Sequence, residues 1–285
     1  MHRITKIGAP PWTRSEIIAH LDEFETIYAE RPIKDNQGGM QSPHMFAVWF
    51  MAKQLSPDFI VESGIWKGQS TWLLEKACPN AKLVSIDINL GNRQYISDRA
   101  FYSNKDFVEQ DWSEISDRSL VFFDDHQNAY KRLQQCKWFG FKHIIFEDNY
   151  PAAQGDCYSL KKAFAHAGFE PVSPASKKRG INIIAKIRRR FARLAGLHPI
   201  SLIPQYETAK IRPNDIDSRM LKKNLDVYYE FPPVFKNSKT RWGDEWDDVT
   251  YPTSEPLLEQ TDNSSHKLFI DEAAFYTWIC YAKLK

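Results

Sequence analysis

The chain has 285 residues, 42% of them hydrophobic, which suits one large α/β domain with insertions or a core domain plus a small accessory one. A net charge of +2 gives no global case for nucleic acid or an acidic partner, and no apolar run is long enough to span a membrane. Four scattered cysteines (Cys78, Cys136, Cys157 and Cys280) form no C-x-x-C pair, and the N-terminus shows no apolar leader, so the expectation is a cytoplasmic protein with free thiols and no structural zinc.

Residues 13–30 carry an apolar stripe of Ile17, Ile18, Leu21, Phe24, Ile27 and Tyr28, which predicts one amphipathic helix capped by Thr13 or Ser15. Pro32 and Gly38-Gly39 end it. Ser42-Pro43 opens a second helix that runs through Met45 to Leu55, and Pro57 closes it. Residues 1–57 thus read as an N-terminal helical cap.

Apolar runs and helical stretches then alternate. Strands are expected at 59–63, 82–87, 106–109, 119–123 and 142–147, and helices at 69–77, near 92–103, at 127–138 and at 158–167. This alternation implies a doubly wound, mostly parallel sheet with a Rossmann-like core over 58–170. Residues 171–226 read as a helical insertion. Within it, 177–193 holds eight Lys and Arg and no acid, with Ile184, Ile187, Phe191 and Leu194 at helical spacing. That segment is either a solvated basic helix or a contact for an anionic or peripheral membrane surface. The segment 227–236 reads as a strand, and 237–267 as a polar excursion holding Trp242, Trp246 and Tyr251. Such excursions often act as lids. The run at 275–284 is a second strand, and a hairpin pairing it with 227–231 adds an antiparallel edge to the sheet.

The most informative stretch is Phe59-Ile-Val-Glu-Ser-Gly-Ile-Trp-Lys-Gly-Gln-Ser70. A strand enters an acid, Glu62, then Gly64, Gly68 and the polar start of a helix at Ser70. The next strand ends at Asp87. Glycines allow close backbone approach to a ligand, and the acid after the second strand can accept both hydroxyls of a ribose. Glu-x-Gly-x-x-x-Gly suits a pyrophosphate less well than G-x-G-x-x-G does. It points instead to S-adenosylmethionine (SAM), which has an adenosine, a ribose diol and an amino-acid tail but no phosphate.

Ligands in such sheets bind beyond the carboxyl ends of the strands. The acids expected there fall into two groups. Glu62, Asp87 and Asp111 suit the cofactor. Glu62 would orient the Gly64 loop or attract the amino end of SAM, and Asp111 would accept the adenine amino group with Trp112 covering the ring. Asp124, Asp125, Glu147, Asp148 and Asn149 deliver hard oxygens from two adjacent strands, a set that suits Mg²⁺ or another divalent cation. Such an ion would bind a substrate hydroxyl and lower its pKa, giving Asp124 a catalytic part, with His126 as candidate general base.

Over about residues 40–165 the chain resembles the class I SAM-dependent methyltransferases, and within them the metal-dependent O-methyltransferases grouped with macrocin-type and cephalosporin-hydroxylase-like proteins. Gln41-Ser-Pro and Pro57-Asp-Phe-Ile-Val-Glu-Ser-Gly resemble that group's lead-in to its first motif, and Lys67-Gly-Gln-Ser-Thr its Gly-Gly-Ser turn. Leu120-Val-Phe-Phe-Asp and Ile144-Ile-Phe-Glu-Asp-Asn resemble its two metal-binding strands. The resemblance implies Asp124, Asp148 and one of Glu147 or Asn149 as ligands. The catechol-type pattern has a catalytic lysine three residues after the first metal Asp, where this chain has Gln127, so His126 or the metal would have to promote deprotonation. The resemblance implies O-methylation of a hydroxylated small molecule or glycan. A non-methylating, hydroxylase-like chemistry and a membrane- or polyanion-binding role on a vestigial SAM fold are the alternatives. The acceptor is not readable from the sequence, and the N-terminal helices can pack in cis or across a homo-oligomer.

Overall fold

The computed structural model describes residues 5–152, 154–166, 215–259 and 265–285. The basic stretch 177–193 and residues 260–264 of the excursion lie outside the described residues. A seven-stranded sheet forms the centre, in the order β3-β2-β1-β4-β5-β7-β6. The strands β1 (Phe59–Ser63), β2 (Lys82–Ile86), β3 (Ala100–Ser103), β4 (Ser119–Phe123) and β5 (His143–Phe146) are parallel. β7 (Ile279–Leu284) runs antiparallel to both β5 and β6 (Leu225–Phe231). The expected hairpin is therefore present, and only β7 is reversed.

Every residue of β1 and β4 is buried because both sheet faces are covered. Their side chains still alternate. Ile60, Leu120, Phe122 and Ile145 enter one apolar layer with α3 (Ser42–Leu55) and α4 (Gln69–Ala77). Val61, Val121, Phe123, Ile144 and Phe146 enter the other with α5 (Ala129–Phe139) and α6 (Leu160–Phe164). Every residue of α3 from Ser42 to Ala52 is buried. An apolar circumference of that kind marks a helix enclosed on all sides, so the N-terminal segment shares the core of the sheet.

Three expectations change. The helix at 13–30 is two, α1 (Arg14–Ala19) and α2 (Leu21–Ala29), broken at His20, whose Nδ1 lies 2.7 Å from the Glu16 carbonyl oxygen. Its first cap is Thr13, in a reciprocal box with Glu16. The third strand is Ala100–Ser103 in place of a helix near 92–103, and 107–109 is a single 3₁₀ turn capped by Asp106. β3 is a short edge strand whose Phe101 faces solvent, so it lacks the apolar run that marks the inner strands. β6 ends at Phe231 because Pro232-Pro233 cannot donate to the ladder. α7 (Asp215–Asn224) leads directly into β6, and α8 (Lys267–Asp271) lies between β6 and β7. Among the described residues no helix is long and apolar enough to cross a membrane.

Candidate active site

The carboxyl ends of β1, β2, β4 and β5 lie side by side, and each carries part of the site. Gly64 leaves β1 at φ +99°, and a Cβ there would meet the Asp124 carbonyl oxygen at 2.0 Å. Its N–H donates to the Ile86 carbonyl of β2, while Asp124 N–H donates to the Ser63 carbonyl. The loop therefore threads between two neighbouring strand ends, where only glycine fits. Gly68 caps α4 at φ +93°, with the Tyr95 carbonyl oxygen 2.4 Å from where a Cβ would stand. Asp87 clamps the loop from the β2 side. Its Oδ2 accepts from the N–H groups of Ile65 (2.9 Å) and Trp66 (3.0 Å), and its Oδ1 accepts from Asn89 N–H (2.8 Å).

Glu62 lies fully buried between β1, β2 and α4. Its Oε2 accepts from the hydroxyls of Thr71 (2.6 Å) and Ser85 (2.7 Å), and its Oε1 has no hydrogen-bond partner. Burial pushes this carboxyl up to about 7, against the pull of the Ser70, Thr71 and Ser85 hydroxyls. Ser70 is itself buried, in the first turn of α4.

Asp111 and Trp112 do not join this group. Asp111 is exposed and caps its own turn, accepting from Ser113 N–H at 3.0 Å, which lowers its pKa. Trp112 is a core side chain: its Nε1–H donates to the Phe107 carbonyl, and its ring packs on Phe59, Phe107 and Phe141. It is not an open cover for an adenine. The exposed aliphatics at this edge are instead Ile88, 91% exposed, and Val108, 41% exposed. Ser103 ties their loops together, its carbonyl accepting from Asp87 N–H and its Oγ from the Gln110 amide. The apolar residue directly after Asp87 was the available sequence signal.

The second group assembles at β4 and β5. One ligand atom each from Asp124, His126 and Asp148 lies within 4.8 Å of the other two. Asp124 accepts no hydrogen bond from the described residues, and Asp148 Oδ1 is buried without a partner. Burial first, then the neighbouring Glu147 charge, raises both carboxyls well above the usual range. Asp125 points elsewhere, to Ser63 Oγ–H (2.9 Å) and Arg132 Nε–H (3.0 Å).

Two expected ligands are engaged by other partners. Asn149 is fully buried; its Oδ1 accepts from Lys161 N–H and its Nδ2–H donates to the Tyr228 hydroxyl. Glu147 Oε1 lies 2.5 Å from His44 Nδ1. Thr277 N–H donates to His44 Nε2, which leaves the ring proton on Nδ1 for Glu147. Burial raises the Glu147 carboxyl, but the His44 contact outweighs it and holds the group at about 2. No motif in the sequence pointed to His44, which reaches the site from α3.

His126 departs most from its expected role. It sits at φ +51° with Nδ1 3.1 Å from Asp156 and 3.3 Å from Asp148. The Asp156 hydrogen bond and the Asp148 charge raise it to about 10. With no ion on the neighbouring carboxylates, this favours the protonated ring, placed between Asp148 and Asp156.

The edge thus offers one crevice at β1 and β2 with glycines and a clamp acid, and a second at β4 and β5 with only partly satisfied carboxylates. A seven-stranded sheet in the order 3-2-1-4-5-7-6 with only β7 reversed surrounds them. The fold is that of the class I methyltransferases. No protein-family model and no curated protein sequence matches the chain. Among solved structures, the chain is similar to cmcI-N160 with SAH, at 18% identity over 52% of this chain and 82% of that one, with a TM-score of 0.35. It is similar to the O-methyltransferase TomG from Streptomyces achromogenes in complex with SAM, at 15% identity over 67% and 81% of the two chains and a TM-score of 0.37. For an O-methyltransferase from Bacillus cereus with SAH the values are 16%, 64%, 80% and 0.34. Overlaps of that depth carry no argument about chemistry. The methyltransferase fold stands on this chain's own strand order.

Proposed function

We propose that the protein is a SAM-dependent methyltransferase acting on a hydroxyl of a small molecule or glycan, with a divalent cation held by Asp124 and Asp148. The observation that carries this reading is the pairing of the two crevices. A glycine loop clamped by Asp87 lies next to carboxylates that, among the described residues, are only partly satisfied. Bound SAM supplies an electrophilic methyl carbon and leaves as S-adenosylhomocysteine (SAH), and a bound divalent cation makes an acceptor hydroxyl more acidic.

The chain's own residues do the positioning. Asp87 keeps an open lone pair on Oδ1 for a ribose hydroxyl after meeting Asn89. Ile88 and Val108 offer the apolar faces that a purine ring would cover. The orphaned Oδ1 of Asp148 and the unbonded Asp124 carboxylate fit a cation, since buried acceptors without donors are costly. A donor set of two carboxylates suits Mg²⁺ or Mn²⁺. His126 would give up its place between Asp148 and Asp156 when the cation enters. Holding the acceptor oxygen in line with the methyl carbon is then the main catalytic task.

Calorimetric titration with SAM, with Mg²⁺ or Mn²⁺ and again with chelator, tests the cofactor. Asp87→Ala should weaken SAM binding by roughly tenfold or more. Absence of SAM binding to the parent under either condition would overturn the reading.

A further inference from the structure

A cleft of about 480 Å³ lies between the segment that follows Asp148 and the excursion, its lining including Pro151, Gln154, Asp244, Asp247, Tyr251 and Trp278. The size is that of a small-molecule site. Its position follows from the topology. β7 runs against its neighbours, so the excursion leaves β6 and re-enters β7 at the same edge where Asp124 and Asp148 end their strands. Asn149 N–H donates to the Trp278 carbonyl (2.8 Å), and the Tyr150 ring packs on Trp242 at 5.4 Å. The floor of the cleft is thus fastened to the residues that follow Asp148.

The lining has a definite chemical character. Trp278 and Tyr251 give it aromatic walls, and the Gln154 Oε1 is buried without a partner. The excursion's cations are spent elsewhere: Lys236 pairs with Asp248 and lies over Trp246, Lys239 pairs with Glu245, and Arg241 lies over Phe275. Among the described residues neither Asp244 nor Asp247 has a cationic partner. Asp247 Oδ1 accepts only from Thr250 N–H at 3.0 Å.

We propose that this cleft binds the methyl acceptor, resting on the function above, and that the acceptor carries a protonated amine. The amine would sit between Asp244 and Asp247, and a ring face would lie on Tyr251, where a cation also gains from the aromatic face. An amino sugar and an arylalkylamine share this chemistry.

Two matched series separate them: the methyl glycosides of glucosamine, glucose and glucuronic acid, and dopamine, 4-ethylcatechol and 3,4-dihydroxyphenylacetate. Ligand-observed NMR with the full chain gives their affinities. The expected result is that the amine member of one series binds roughly tenfold more tightly than its neutral partner, and the acid more weakly still. Asp244→Asn/Asp247→Asn, two changes at exposed positions, should erase that preference while SAH affinity stays unchanged. Equal binding within both series, no binding by any member, or a preference that survives the double substitution would overturn the proposal. SAH titration of the same samples reports the cofactor crevice separately. Its failure would count against the methyltransferase reading and leave the amine preference to be judged by itself.

Discussion

Replacing Asp124 by Asn probes the charge stored at the ends of β4 and β5. Asp124 and Asp148 come within ligand distance of each other, with Glu147 adjacent and His126 as the local cation among the described residues. Holding these carboxylates ionised together costs the folded state free energy that the unfolded chain does not bear. A divalent cation that binds only the folded protein recovers it. At a concentration one hundred times its Kd, such an ion adds about 2.7 kcal/mol. In a chain of this size each kcal/mol moves Tm by about 2–4 °C, so Mn²⁺ or Mg²⁺ should raise Tm by roughly 5–11 °C. Asp124→Asn should melt at or above the parent in chelator, because it removes a repelled charge, and should lose nearly all of the metal-induced shift. Differential scanning calorimetry of both proteins, in chelator and with saturating metal, measures this directly. A variant that melts below the parent in chelator yet keeps the full metal shift would refute the reasoning.

Two further outcomes rest on buried charges away from that crevice. Lys161 Nζ lies 2.5 Å from Glu230 Oε2 with both side chains nearly sealed from solvent, and it also donates to the Pro252 carbonyl of the excursion. Lys161→Met strands the Glu230 carboxylate and should cost about 3–5 kcal/mol. Lys161→Met/Glu230→Gln should recover most of it, since Gln can still accept from the Tyr228 hydroxyl. Equal losses in urea denaturation for the single and double variants would argue against an ion pair here. Glu62 titrates at about 7 when folded against an ordinary 4.5, so its burden is absent below the lower value and complete above the higher one. Glu62→Gln should therefore gain on the parent as pH rises from 5 to 8, by up to about 3 kcal/mol. A gap that stays flat across that range would show that Glu62 is not held neutral.

The local code of the chain was enough for the inner sheet and for the backbone of the site. Apolar runs mark β4, β5 and the start of β1 because strands covered on both faces are mostly apolar. Gly64 and Gly68 mark positions where a side chain would strike another strand end or loop. Asp87, Asp124 and Asp148 follow strand ends, and strand ends of a parallel sheet share one edge. Other features depended on partners remote in sequence. Whether Asp124 or Asp125 faces the crevice is decided by Ser63 and Arg132, which claim Asp125. Whether Glu147 or Asp148 is free is decided by His44, more than a hundred residues upstream, and by Thr277, which sets the His44 tautomer. Trp112 looked like a lid because nothing in its neighbourhood says that Phe59 and Phe141 will enclose it. The strand period of two orients side chains within a strand and lapses in the turn that follows. There, hydrogen bonds and charges from other elements choose which acid is satisfied and which is left for a ligand, and only the tertiary structure brings those elements together.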